Sequence, residues 1–143
     1  MFWKMLPGLA NGLILILLSG IHFYWALGGQ SGMEKVLPTN GEGKKMLNPS
    51  RADGAMVGAF LLFFALLFFI KIGYVTIYMP HLINRFGITV ISVIFLLRAM
   101  GDFRYVGFTK KIKTTTFAKL DTKYYSPLCL LLGVNGLLTE FLN

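Results

Sequence analysis

Arg98 and Asp102 stand four residues apart at the end of a long apolar run, Phe95-Leu96-Leu97-Arg98-Ala99-Met100-Gly101-Asp102. On a helix that spacing puts both side chains on one face. An ionisable group this deep in an apolar segment is costly unless it faces a partner. The ordinary outcome is an ion pair in which Asp102 neutralises Arg98. The sharper one is that Arg98, with Arg104 nearby, holds an anionic group while Asp102 orients the guanidinium. Elsewhere His22 lies three residues before Trp25, and Asp121 precedes Tyr124, Tyr125 and Ser126. Histidine titrates near neutral pH and can carry a proton or bind a ligand. The expected ligand-binding set is therefore His22, Trp25, Arg98, Asp102, Arg104, Tyr105 and Asp121. The plainer readings are a packing histidine and an interfacial aromatic.

Signatures of an enzyme are missing. The two histidines, His22 and His81, fall at opposite ends of their segments, and neither has metal-ligand spacing to a carboxylate or cysteine. No H-E-x-x-H, phosphate-binding glycine loop or G-x-S-x-G occurs. No catalytic residue, metal or cofactor is expected. The single cysteine, Cys129, reads as packing and leaves no intramolecular disulfide.

The elements that must position these groups follow from composition. The chain has 143 residues, of which 55% are hydrophobic and 14% charged. Soluble domains carry about 25% charged residues, and one domain of this length cannot bury so much apolar surface. A hydrocarbon core of roughly 30 Å needs about 20 helical residues, and four segments offer them. They cover about 6–27, 54–79, 86–103 and 126–142, the second continuing past Lys71 towards Pro80 and the fourth opening near Pro127. The β-branched run Ile88 to Ile94 is read as helix, because an isolated strand in lipid leaves its backbone unpaired. The expected fold is all-α: one polytopic membrane domain, a four-helix antiparallel bundle. Gly8-x-x-x-Gly12 and Gly54-x-x-x-Gly58 suit close helix contact, and Asn135 can hydrogen-bond across helices.

Four antiparallel spans bring the ends holding His22 and Trp25, Asp53, Arg98 and Asp102, and Asp121 to one membrane face. The same face receives two long loops that carry Lys35, Lys44, Lys45, Arg51, Arg104, Lys110, Lys111, Lys113, Lys119 and Lys123. The opposite side holds only Lys4, Lys71 and Arg85. This bias predicts cytoplasmic long loops and both termini outside. The net charge of +8, and the run Lys110-Lys111-Ile112-Lys113 in particular, fits an anionic lipid surface. No recognised nucleic-acid fold carries these lysines, so no nucleic-acid partner is expected.

At these same residues the chain resembles a family of small bacterial four-span membrane proteins whose function is unknown. The likeness is carried by Ile21-His22-Phe23-Tyr24-Trp25-Ala26-Leu27-Gly28-Gly29 and by Leu37-Pro38-Thr39. It continues in Phe95 to Phe108, with Arg98, Gly101-Asp102, Arg104-Tyr105 and Gly107, and closes in Phe117-Ala118-x-x-Asp121-x-x-x-Tyr125-Ser126-Pro127-Leu128-Cys129. The resemblance implies four spans and a bacterial inner or plasma membrane, and it supplies no activity.

The expected function is an accessory or binding protein with a polar layer at the cytoplasmic face that takes an anion or lipid headgroup. Its expected partners are membrane lipids, with a homo-oligomer or another membrane protein as a further possibility. The alternatives are a small oligomeric transporter and an interaction subunit without a ligand. A membrane enzyme using His22 with Asp102 or Asp121 is a third.

Overall fold

The computed structural model describes residues 1–143. Six α-helices appear: α1 (Phe2–Ala26), α2 (Met33–Val36), α3 (Arg51–Lys71), α4 (His81–Met100), α5 (Thr116–Leu120) and α6 (Ser126–Leu142). A π-helical turn, Asp121–Tyr125, joins α5 to α6. The chain has no strand, only an isolated bridge between Thr39 and Lys45. Four stretches are long and apolar enough to cross a membrane: α1, α3, α4 and the continuous Thr116–Leu142. At 1.5 Å per residue each is about 30–40 Å long, which matches a bilayer core.

Local chemistry sets where these helices begin and end. Ser50 caps α3: its Oγ accepts from the Asp53 amide at 3.2 Å, and the Asp53 carboxylate accepts from the Ser50 amide at 2.7 Å. This reciprocal box satisfies two of the otherwise orphaned amide donors at the helix start. Helix α3 stops at Lys71 rather than continuing towards Pro80. Gly73 turns the chain there with φ 80°, and the Lys71 ammonium is held by Glu140 at 2.9 Å. The third span begins at His81 and ends at Met100, short of the expected 103, because Gly101 leaves the helical conformation with φ 89°. The fourth starts earlier than its proline signal indicates. Thr115 Oγ1 accepts from the Ala118 amide at 3.1 Å and starts the helix at Thr116, so the span gains length on the side of the basic loops.

Helix α1 packs along α3, and α4 along α6, with α1 also against α6. Glycines permit these approaches. A Cβ added at Gly12 would fall 2.7 Å from the Phe69 ring, and one at Gly133 would fall 2.6 Å from Leu96 Cγ. Buried apolar residues, Leu15, Phe68, Ile91 and Leu132 among them, fill the centre. Asn11 is fully buried and donates to the Leu132 carbonyl at 2.8 Å, bonding α1 to α6. The Asn135 side chain makes no such bond; its carbonyl accepts from Thr139.

Only 27 of the 143 residues are buried, and many large apolar side chains, such as Leu17, Phe60, Val90 and Leu131, are exposed. A lipid solvent, not water, suits that surface. The threading is antiparallel. At one end Lys71 meets Glu140 and the Asn143 side chain donates to the Lys4 carbonyl at 3.1 Å. At the other end the His22 carbonyl lies beside Gly54, and Arg98 meets Asp121.

Candidate functional site

Asp121 is the first residue of the π-helical turn and is fully buried. A buried carboxylate is tolerated only when its charge is balanced and its lone pairs are used. Both conditions hold. Oδ1 accepts from Arg98 Nη2 at 3.0 Å. Oδ2 accepts from Lys110 Nζ at 3.0 Å and from the Gly107 amide at 2.8 Å. Three pieces of chain therefore converge on one side chain: the end of α4, the loop after it, and the start of the fourth span. π-helical turns inside α-helices often mark functional positions, because they shift the register of the residues they carry.

Lys110 is the residue that sequence reasoning missed. It stands in the run Lys110-Lys111-Ile112-Lys113, which reads as a lipid-facing basic cluster, yet its side chain is 1% exposed. Its three donors are all taken, by Asp121, by the Gly107 carbonyl at 2.9 Å and by Thr122 Oγ1 at 2.6 Å. The one available signal was Asp121 itself. Its i,i+4 spacing from Phe117 places a carboxylate on an apolar helix face, which demands a cation.

The loop that carries Lys110 is folded by Asp102. Its Oδ1 accepts from the amides of Arg104 at 3.0 Å, Tyr105 at 2.7 Å and Val106 at 2.9 Å. Partial desolvation pushes the Asp102 carboxyl up, and the backbone donors from Arg104, Val106 and Tyr105 together outweigh it, leaving its pKa below the ordinary value of 3.8. The expected Arg98–Asp102 ion pair is therefore not formed. Gly101 breaks the helix between them, the i,i+4 geometry is lost, and Asp121 takes the place assigned to Asp102. The loop then returns to the helix it left: the Phe108 amide donates to the Ala99 carbonyl at 2.9 Å.

A cleft of about 420 Å³ opens beside this cluster, lined by Val36, Pro38, Leu47, Leu97, Arg98, Gly101, Asp102, Val106 and Phe117. The first long loop supplies one wall. Tyr125 pins it there by donating from its hydroxyl to the Lys35 carbonyl at 3.1 Å. The Arg98 side chain is 34% exposed, and its Nη1 has no hydrogen-bond partner.

The other expected site residues separate from this cleft. His22 donates from Nδ1 to the Leu18 carbonyl of its own helix at 2.8 Å and meets Trp25 edge-on, with ring centroids 5.2 Å apart. Trp25 donates to the Ser31 carbonyl at 2.9 Å. Neither ring lines the cleft, and neither side chain bonds to Asp102 or Asp121. Arg104 is exposed and lies over the Tyr105 ring at 5.2 Å, and both residues stand outside the cleft lining. No group of three His, Cys, Asp or Glu side chains is arranged to hold a metal ion.

Fold and site together define a multi-pass α-helical membrane protein whose polar residues are pinned at one end of a four-span bundle. Residues 15–135 match the family described as Protein of unknown function (DUF3995), and the chain belongs to that family. No curated protein and no solved structure matches it.

Proposed function

We propose that this protein is a lipid-binding accessory protein of the bacterial cell membrane, whose cleft holds the anionic group of an amphiphile against Arg98. The observation that carries this reading is an imbalance of charge at the cleft wall. Asp121 is one carboxylate shared by two cations, and Lys110 has spent all its donors inside the protein. The surplus positive charge therefore falls on Arg98, a third of whose side chain is exposed at the cleft, while its Nη1 donor is buried without a partner. A planar guanidinium already fixed by one carboxylate is pre-organised to bind a second oxyanion. Asp121, not Asp102, orients it. The long loops lie in the cytoplasm in this reading, since positive charge is retained on that side.

The test is retention of anionic lipid. Wild-type protein purified in mild detergent and offered phosphatidylglycerol or the uncharged diacylglycerol should hold the former preferentially in native mass spectrometry. Arg98→Gln should lower that retention about tenfold, while Arg104→Gln, outside the cleft, should leave it unchanged. A folded Arg98→Gln protein that retains phosphatidylglycerol like the wild type would overturn the proposal.

A further inference from the structure

The cleft wall carries a second charged group of opposite sign. Asp102 lines the cleft beside Arg98, and the two are separated in the chain only by Ala99, Met100 and Gly101. Its Oδ1 is fully occupied by three backbone amides, and its Oδ2 makes no hydrogen bond within the protein. Those amides favour its charged form and fix the carboxylate in place, so it presents an anion with an open oxygen. A purely anionic ligand would be repelled by Asp102 while attracted by Arg98. A ligand with both charges satisfies both walls.

We infer that the occupant of this cleft is a zwitterionic phospholipid headgroup, its phosphodiester on Arg98 and its ammonium on Asp102. This rests on the anion-binding role given to Arg98 above and narrows the ligand class. The remaining lining fits an amphiphile. Val36, Pro38, Leu47, Leu97, Val106 and Phe117 are apolar, and Leu47 and Leu97 are both more than half exposed. Leu97 belongs to the spanning helix α4, so an acyl chain can leave the cleft along the lipid-facing side of that helix. A free zwitterion has no use for such an exit. Arg98 and Asp102 also differ in what fixes them. The cation is set by the fourth span through Asp121, the anion by its own loop, and the chain turns at Gly101 between them.

The experiment is a competition on the full-length protein in detergent between phosphatidylethanolamine and phosphatidylglycerol, read by native mass spectrometry. Wild-type protein should prefer phosphatidylethanolamine at least threefold. Asp102→Asn keeps an Oδ1 acceptor for the three amides and replaces the open, charged Oδ2 by an uncharged NH2 donor. It should lower phosphatidylethanolamine retention about fivefold while raising that of phosphatidylglycerol. Soluble glycerophosphoethanolamine, which lacks acyl chains, should fail to displace the lipid at equal concentration. Equal wild-type retention of the two lipids would overturn the zwitterion assignment, whatever Asp102→Asn does to folding. Parallel loss of both lipids in a folded Asp102→Asn protein would do the same. Displacement by the soluble headgroup would replace a membrane lipid by a water-soluble zwitterion. If wild type and Arg98→Gln hold both lipids no better than diacylglycerol, the anion-binding reading itself fails, a result distinct from the other three.

Discussion

Replacing Asp121 by asparagine keeps the shape of the side chain and removes the one negative charge between Arg98 and Lys110. Lys110 is 1% exposed and cannot reach water without unfolding the loop. It would retain the Gly107 carbonyl and Thr122 Oγ1 but would be a buried, uncompensated ammonium. Stranding one member of a buried ion pair costs about 3–5 kcal/mol, or roughly 10²–10⁴-fold in the unfolding constant at about 1.4 kcal/mol per tenfold. The expected loss is at the upper part of that range, because the single oxygen of an asparagine amide cannot accept from Arg98 on one side and from Lys110 and Gly107 on the other. Adding Lys110→Met should recover at least about 2 kcal/mol, since replacing both partners of a buried pair by uncharged groups is often near neutral. Reversible unfolding in mixed micelles, followed by circular dichroism across the four variants of the cycle, measures both quantities. A loss below about 1 kcal/mol, or a cycle without coupling, would refute the reasoning.

Three further outcomes follow from the same structure. Gly133→Ala should destabilise the α4–α6 contact by about 1–3 kcal/mol through overpacking, since its Cβ would meet Leu96 and the Ser92 carbonyl. Gly20→Ala, with nothing within 4 Å of its Cβ, should be neutral or stabilising, and equal effects in unfolding assays would contradict the packing described. Asn11→Leu removes a bond to Leu132 but also a buried Oδ1 that has no donor. Intramembrane bonds average about 0.6 kcal/mol, so the net change should stay under about 1 kcal/mol, and a much larger loss would give Asn11 a role beyond packing. The Asp102 carboxyl carbon should titrate by NMR with a midpoint below 3.8. With the folded pKa depressed, its contribution to loop stability is fully present above the unfolded value and disappears as pH falls through the lower folded one. A midpoint at or above 3.8 would mean the loop bonds do not favour the charged form.

The bundle was legible in the sequence because hydrocarbon imposes a simple rule: backbone groups must pair within each span. Run lengths then gave four helices, and the order of spans gave the gathering of Arg98, Asp121 and His22 at one end. Local boundaries were harder. Ile72 to Met79 is apolar enough to prolong α3, and only Gly73 with the Lys71–Glu140 pair shows why it does not. The site depended on contacts that no spacing rule contains. Arg98 and Asp102 have the right separation for an ion pair, but Gly101 between them ends the helix. Lys110 and Lys111 are identical in type and adjacent in sequence, yet one is buried and the other exposed. What separates them is the fold of the loop around Asp102 and Gly107, which brings Lys110 onto a carboxylate eleven residues later.

Sidedness of the loops tests the account most directly, because the polar cluster exists only if four antiparallel spans bring both long loops to one face. Single cysteines at positions 42, 76, 113 and 143, introduced into a Cys129→Ser protein in sealed, uniformly oriented vesicles, can be challenged with a membrane-impermeant maleimide. The account predicts that positions 42 and 113 react from one side together, and positions 76 and 143 only from the other. Labelling of 42 and 113 from opposite sides would contradict it.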